Sequence, residues 1–185
     1  MPLPECKRID IASNPADLLA DGWREIEILE TWEGRAARIR GHEWEDLAEC
    51  ERIARASFTY DRLHTDELVA VQEADDARAE WVRRAFLDNE KTILVAAGPI
   101  GSQGTYSLNG FMIYSTIRHT LVIDMIAVDS GSRGRGIAKL LIGAGLFKSG
   151  CQRVRAGTQE INDPAKALYR GLGMEIKKRQ RTFHR

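Results

Sequence analysis

The sequence predicts a mixed α/β domain of the α+β type, in which a mostly antiparallel sheet carries helices on its faces. Three strand-like runs follow one another from residue 91, and connections as short as theirs join antiparallel neighbours. Two amphipathic helical patterns precede these runs and two helical segments follow them. This order of strands and helices indicates one layered domain with one sheet.

The first 35 residues are predicted to be an N-terminal extension of a domain that spans residues 36–185. The extension contains "WREIEILETWE" (23–33), whose alternation of apolar and charged residues predicts a strand. A chain of 185 residues suffices for one domain and an appendage but is short for two separate cores.

Two helices are predicted after a short strand in "AARIRG" (36–41). The segment "HEWEDLAECERIARASF" (42–58) places apolar residues among charges at near-helical spacing. The segment "LVAVQEADDARAEWVRRAFLDN" (68–89) has the same period over a longer stretch. Both patterns are typical of helices that bury one side against a sheet.

Three consecutive strands are predicted in "KTILVAAG" (91–98), "SLNGFMIYSTI" (107–117) and "HTLVIDMIAVD" (119–129). A helix beginning near residue 137 is expected next, because its apolar residues recur on one face. The turn that joins the preceding strand to this helix contains the residues on which the functional prediction depends.

The remaining segments predict a strand, a short helix and a closing strand. "RVRAGTQE" (153–160) is the strand candidate, and "DPAKALYRGLG" (163–173) has a proline suited to a first helical turn. "EIKKRQRTF" (175–183) predicts the last strand. Because such a strand can pair with its copy in a second chain, a homodimer is expected as one form of the protein.

Composition excludes several classes of protein. Lys plus Arg and Asp plus Glu both total 27, which argues against nucleic-acid binding by overall charge. Three distant cysteines fit neither a zinc pattern nor a disulfide framework, so no metal and a reducing cytoplasmic location are expected. No apolar run reaches the length of a membrane span, and no membrane contact is expected.

The stretch "AVDSGSRGRGIAKLLIGAG" (127–145) joins a strand to a helix through two glycines and two arginines. Gly134 and Gly136 let backbone amides converge, and a helix N-terminus favours an anion such as a pyrophosphate. Arg133 and Arg135 add charge for phosphate oxygens. A tight turn with solvated arginines is the alternative. Spacing excludes the dinucleotide fingerprint and the mononucleotide P-loop, since Lys139 stands at the third glycine position and no Gly-Lys-Ser/Thr follows.

Two spaced motifs resemble those of the Gcn5-related N-acetyltransferase (GNAT) superfamily. The first is Arg133-x-x-Gly136-x-Ala138 after the strand "VIDMIAV", and the second is the run "NDPAKALYRGLGM" that begins at Asn162. Together they span the predicted domain. The sequence departs from the usual motifs in lacking a proline at residues 130–132 and in having Met174 in place of Phe. The resemblance implies a sheet with splayed central strands and acetyl-CoA as cosubstrate.

The resemblance also implies which residues bind the coenzyme and which residue acts as general acid. Coenzyme contacts are expected from Ile126, Ala127, Val128, Arg133, Gly134, Arg135, Gly136, Ile137, Ala138, Asn162 and Ala165. The strand backbone at residues 126–128 is expected to pair with the pantetheine amides, and the amides of residues 134–138 to bind the pyrophosphate. Asn162 is expected to touch the pantetheine arm. Tyr169 is the expected general acid for the departing thiolate, with a packed core aromatic as the alternative.

Asp124 is a candidate to accept the proton of the amine or to bind a substrate hydroxyl. It lies mid-strand among apolar residues, and strict alternation would place it on the face of Ile126 and Val128. A polar residue that caps the splayed strands or pairs with a nearby arginine is an equally weighted alternative, and water is a further candidate for the base. His119, in the preceding turn, is expected to be exposed.

The acceptor is predicted to be a small-molecule amine. "FTYDRLHTD" (58–66) and "TQEIN" (158–162) resemble the TDP-fucosamine acetyltransferase branch, which implies a nucleotide-linked deoxyaminosugar bound through Arg62, His64 and Gln159. The alternative is that Arg62 and His64 only fasten a lid to carboxylates. Other small amines, amino acids, antibiotics or a protein N-terminus remain alternative acceptors, and a non-catalytic acyl-CoA sensor is a third class.

Overall fold

The computed structural model describes residues 38–98 and 107–182. The predicted extension over residues 1–35, with its strand at 23–33, lies outside the described residues, so the division of the chain near residue 35 stays a prediction. Within the described ranges, the helices contain no segment long and apolar enough to cross a membrane.

Five strands form one sheet in the order β1-β2-β3-β4-β5. They are β1 Arg38–Gly41, β2 Thr92–Ala97, β3 Leu108–Ile117, β4 Thr120–Val128 and β5 Arg153–Ala156. The first four strands pair antiparallel, as their short connections predict, and β5 lies parallel to β4. The turn between β3 and β4 consists of two residues with φ of 46° and 60°, the left-handed conformation of the tightest hairpins.

Four α-helices complete the described domain, and all four were predicted. They are α1 Leu47–Ser57, α2 Val71–Leu87, α3 Ile137–Ser149 and α4 Asp163–Arg170, and a short 3₁₀ helix at Trp44–Asp46 leads into α1. The α3 helix ends at Gly150, whose φ of 65° terminates it in the left-handed conformation. The mixed α/β prediction is therefore confirmed.

Two hydrophobic clusters lie on opposite faces of the sheet. Successive β2 residues alternate between them, since Ile93 and Val95 belong to one and Leu94 and Ala96 to the other. The first cluster joins the sheet to α1 and α2, and its members include Ile53, Val82, Ile93, Phe111 and Ile113. The second joins the sheet to α3, with Met112, Tyr114, Leu121, Leu141 and Ile142. The sheet thus separates a side covered by α1 and α2 from a side covered by α3.

The β4 strand is paired on both sides only along its first half. Its partners on β5 stop at Ile123, although β4 continues to Val128. On the other side, Ile113 pairs with Met125 and the next residue of β3 pairs with Ile123, so Asp124 is an extra residue in a β-bulge. The sheet opens beyond this bulge, as the splayed-strand prediction required.

The predicted closing strand is wrong for the described residues. Residues 175–182 form no strand, and each of them is exposed. The segment contains four cations, and Ile176, its single aliphatic residue, is 63% exposed. A strand needs a row of side chains that it can bury, and this one has none. The expected homodimer, which depended on the strand, stays a prediction.

Candidate functional site

The turn that follows β4 is anchored by polar contacts to β3. The amide of Asp129 donates to the carbonyl oxygen of Asn109 at 2.9 Å, which extends the β3–β4 ladder. The Ser132 hydroxyl, which is buried, donates to Oδ1 of Asn109 at 2.9 Å. Asp129 also accepts from the Gly131 amide at 3.1 Å and from Arg52 of α1 at 2.9 Å. These contacts fix the position at which the chain leaves the sheet.

The glycines of the turn have the conformation for which glycine was expected. Gly134 and Gly136 have φ of 76° and 77°, and a Cβ built on either would meet no atom within 4 Å. The reason for glycine is therefore the left-handed backbone and not a lack of space. Gly136 is the N-cap of α3 and has no side chain to cap the helix, so the first amides have no partner in the N-cap residue. A bare set of amides with the helix dipole behind it fits an anion.

Arg133 differs from its predicted role. Its Nε donates to the carbonyl oxygen of Val128 at 3.1 Å, and a guanidinium nitrogen lies 3.3 Å from the Ser57 hydroxyl at the end of α1. The side chain thus folds back over the end of β4 and away from the amides of the turn. Arg135 is exposed, and its contact with a phosphate stays a prediction.

Beyond the bulge, successive residues of β4 direct their backbone groups to opposite sides of the strand. Asp129 donates its amide to β3, and alternate residues of a strand direct their amides to the same side. Ala127 therefore faces β3, whereas Ile126 and Val128 direct their backbone groups to the side that β5 has left. Ala127 was expected to pair with the coenzyme, and this ladder position corrects that expectation. One carbonyl on the open side, that of Val128, already accepts from Arg133.

The second motif lies at the start of α4. Asn162 is the N-cap, and its Oδ1 accepts from the amide of Ala165 at 3.1 Å. The carbonyl half of the side chain is thus committed to the helix, while the NH2 half can still donate. Gln159 is exposed, and its backbone oxygen accepts from the amide of Asn162 at 3.1 Å. The side-chain oxygen of Asn162 therefore stabilises the start of α4, and its NH2 group remains for a ligand.

Tyr169 is half-buried near the end of α4. Burial raises the pKa of its phenol above the ordinary value of 10.0, because the phenolate would be poorly solvated there. The hydroxyl therefore keeps its proton at neutral pH. The neighbouring Leu168 packs against the second cluster, which fixes α4 on the side of the sheet covered by α3.

Asp124 points to the other side of the sheet from the one that alternation predicted. Its Oδ2 lies 2.9 Å from Nζ of Lys91, a residue that precedes β2 and borders the first cluster. Ile126 and Val128 instead contact the second cluster. The bulge explains the difference, since one extra residue exchanges the faces of all residues that follow it. Sequence analysis missed Lys91, and its place beside "TILV" gave no signal of this contact.

A hollow of about 350 Å³ lies beside this ion pair, on the side of α1 and α2. It is lined by Ala77, Glu80, Trp81, Arg84, Ala85, Asp88, Lys91 and Ile113. Its floor residue Ile113 is paired with Met125, the residue after Asp124. The hollow therefore opens next to the bulge of β4.

His64 is held inside a network of charges and does not face the hollow. Its Nε2 lies 3.0 Å from Oδ1 of Asp75, and its Nδ1 lies 3.1 Å from Oδ2 of Asp61 in an ion-pair contact without hydrogen-bond geometry. Asp61 also accepts from Nε of Arg78 at 2.5 Å. The side chain of His64 is only 7% exposed. These contacts favour the lid-fastening alternative for His64 over the predicted contact with substrate.

The electrostatics of this network favour its charged form. Although burial opposes charge, the hydrogen bond to the carboxylate of Asp75 and the close contact with that of Asp61 raise the pKa of His64 above 6.5. Burial also opposes the charge of Asp61, yet Arg78 and His64 lower the pKa of that carboxyl. Arg62, the neighbouring candidate, is exposed. Across residues 38–98 and 107–182, no group of three His, Cys, Asp or Glu side chains could hold a metal ion.

Comparison with solved structures shows the same fold at low sequence identity. Aminoglycoside N-acetyltransferase AAC(6')-Iy, in complex with the bisubstrate analogue CoA-S-monomethyl-acetylneamine, is 18% identical with a TM-score of 0.58, over 82% of this chain and 99% of that chain. A mutant of the BH1408 protein from Bacillus halodurans is 18% identical with a TM-score of 0.61, over 80% and 98%. Aminoglycoside antibiotic 6'-N-acetyltransferase AAC(6')-IG from Acinetobacter haemolyticus is 12% identical with a TM-score of 0.58, over 80% and 97%.

Comparison with curated proteins finds no match. The sequence model described as "Acetyltransferase (GNAT) family" matches residues 42–174, which is most of the chain and includes both motifs. The glycine turn before α3, the opened edge of β4 and the capped start of α4 all lie within the matched residues. The chain belongs to the acetyltransferase (GNAT) family and is an acetyltransferase that uses acetyl-CoA.

Proposed function

We propose that the protein transfers the acetyl group of acetyl-CoA directly to the primary amine of a small amino sugar, with Tyr169 as general acid. The observation that carries this proposal is the set of uncapped amides at the start of α3, directly after the half of β4 that has no β5 partner. The open edge of β4 and the site for an anion thus follow each other along the chain. Coenzyme A requires both, the edge for its pantetheine arm and the anion site for its diphosphate.

Coenzyme binding is proposed to depend mainly on backbone groups. The amides of residues 134–138 receive the pyrophosphate, and Arg135 adds a positive charge. The amide and carbonyl of Ile126 and the amide of Val128 pair with the pantetheine arm as an added strand would. Asn162 contributes the NH2 half of its side chain. Arg133 positions this edge through the carbonyl of Val128.

The transfer removes two protons from nitrogen and adds one to sulfur. The acceptor ammonium loses its first proton to Asp124 or to water, and the neutral nitrogen bonds to the acetyl carbon to give a tetrahedral intermediate. The nitrogen loses its second proton to solvent as the carbon–sulfur bond breaks. The thioester supplies the activated acyl group. The departing sulfur takes a proton from the Tyr169 hydroxyl, which regains one from solvent. The phenol is protonated at neutral pH and can therefore donate this proton, although burial raises its pKa and makes it a weaker acid.

The first acceptor class is a nucleotide-linked deoxyaminosugar. Its support is the resemblance of "FTYDRLHTD" to the branch that modifies such sugars. A diphosphate of this kind needs cations on the acceptor side, and Arg62 is the exposed cation of that loop. Because His64 is committed to Asp61 and Asp75, the loop offers less positive charge than its sequence suggests.

The second acceptor class is an amino sugar with several amines and no phosphate. The charge distribution favours this class, since residues 38–98 contain 14 Asp and Glu against 9 Lys and Arg, whereas residues 107–182 contain 5 against 13. The α1 and α2 side of the domain therefore attracts cations, while the coenzyme side attracts anions. Two of the structural neighbours are aminoglycoside acetyltransferases, which fits an acceptor of this class.

The test is release of free thiol from acetyl-CoA in the presence of a panel of amines. The panel contains a TDP-linked aminosugar, the same aminosugar without nucleotide, neamine, spermidine and a free amino acid. Preference for the TDP-linked sugar supports the first class, and preference for neamine supports the second. A best rate with spermidine or the amino acid contradicts the amino-sugar proposal. Tight coenzyme binding without turnover on any amine would instead indicate a sensor.

A cytoplasmic location is part of the proposal. Cys50 and Cys151 are free thiols and both are buried, as expected for a protein that works in a reducing compartment. Residues 1–35 are proposed to be an extension outside the catalytic domain.

A further inference from the structure

We infer that Lys91 is a positioning residue that holds Asp124 by one carboxylate oxygen and favours the neutral form of the incoming amine. The inference rests on the proposed function, because it assigns a role within the acceptor side of that site. It starts from the contact of 2.9 Å between Nζ of Lys91 and Oδ2 of Asp124. Both side chains are mostly buried, with exposures of 27% and 20%.

The backbone of Lys91 is fixed before its side chain reaches Asp124. Its amide donates to the carbonyl oxygen of Asp88 at 3.1 Å, which closes the turn between α2 and β2. Thr92, the next residue, begins β2 and pairs with Tyr114. The lysine therefore extends from a defined point, and its ion pair holds Asp124 in one orientation within the bulge. A carboxylate in a bulge lacks the ladder partner that would otherwise limit its movement.

One carboxylate oxygen accepts from Lys91, and the other is left for the acceptor. An amine that binds there lies within a few ångströms of the lysine ammonium, since both contact the same carboxylate. A like charge at that distance disfavours the ammonium form of the acceptor. Because only the neutral amine attacks a thioester, Lys91 raises the reactive fraction of the acceptor at a given pH.

Other charges face this pair from the elements around it. Asp88 stands at the end of α2, and Glu80 and Arg84 line the same hollow from α2. Glu80 is already paired with Arg84 at 2.9 Å, which leaves little net charge from these two groups. Lys91 is thus the cation in direct contact with Asp124, and its removal changes the field at the amine most.

The experiment compares kcat as a function of pH for the unmodified enzyme, Lys91→Met and Lys91→Arg, with the best amine of the panel. In Lys91→Met we expect the acid limb to move to higher pH by about one unit, which lowers kcat about tenfold on that limb and little at high pH. Lys91→Arg keeps the charge and is expected to keep the position of the limb. Lys177→Met, which removes a lysine paired with Glu175 in the exposed tail, is the matched control.

A purely structural role gives a different result. Loss of packing would lower kcat by the same factor at every pH, and Lys91→Arg would not restore the profile. An unmoved acid limb in Lys91→Met therefore overturns the inference. The proposed function fails separately, because it is contradicted when the unmodified enzyme releases no thiol with any amine.

Discussion

The turn before α3 and the loop between α1 and α2 are both irregular connections with polar motifs, yet they are built in different ways. In the turn, glycines with positive φ lead into helix amides that have no side-chain cap. In the loop, Asp61, His64 and Arg78 turn inward and satisfy one another. Backbone amides remain accessible whichever side chains surround them, whereas polar side chains can pair with one another and leave no group for a ligand. Substitutions in the two regions distinguish a site built from backbone amides from one built from paired side chains.

The largest effect is expected from Asp61→Ala in the loop. The change leaves the cations of His64 and Arg78 without their shared carboxylate, and breaking a buried ion pair from one side costs about 3–5 kcal/mol in the free energy of unfolding. Urea unfolding measures the loss. Coenzyme affinity, measured on the folded fraction by calorimetry, should stay within about twofold because Asp61 pairs with His64 and Arg78 and not with residues of the turn. A stability equal to that of the unmodified protein would contradict the network.

Gly136→Asp should remove most of the coenzyme affinity while the fold persists. The new side chain must adopt the left-handed conformation and places a carboxylate beside the pyrophosphate, so we expect a weakening of about 100-fold or more. Calorimetry with acetyl-CoA measures it. Gly143→Asp is the control, since Gly143 is also exposed with open space around it but lies within α3. Equal affinities for the two variants would remove the pyrophosphate from the turn.

Tyr169→Phe should lower kcat by about 100-fold, the usual contribution of a general acid, and leave the affinity for acetyl-CoA nearly unchanged. Steady-state thiol release and calorimetry measure the two quantities. The fall should be largest with acceptors whose reaction depends on departure of the sulfur. An unchanged kcat would indicate that Tyr169 is a packed aromatic residue and not the general acid.

The smallest effect is a dependence of stability on pH that arises from His64. Its folded-state pKa is raised, so the stabilisation is fully present below the unfolded value of 6.5 and is lost as pH rises through the folded value. The melting temperature should therefore decline as pH rises above about 6.5. His64→Gln removes the titration and should flatten that part of the curve. A melting temperature that rises over this interval would give the opposite sign and contradict the ion pairs.

Patterns that depend on nearest neighbours were predicted well. The two glycines, the start of α3 and the proline in the first turn of α4 follow from local backbone chemistry, and the structure confirms each of these elements. The faces of β4 were predicted wrongly beyond Ile123, because strict alternation has no means of anticipating the bulge at Asp124. The closing strand was also predicted wrongly, since β-propensity says nothing about whether a segment has a surface to cover.

The sequence by itself determined the fold class, the order of most elements and the glycine turn before α3, because helix periods, strand alternation and glycine conformations act over a few residues. Tertiary structure alone decided the contacts between distant residues. It brought Lys91 to Asp124, engaged Arg133 with the end of β4 and enclosed His64 between two carboxylates. These contacts join residues up to 33 positions apart, and their partners depend on how whole elements pack, which no local pattern specifies.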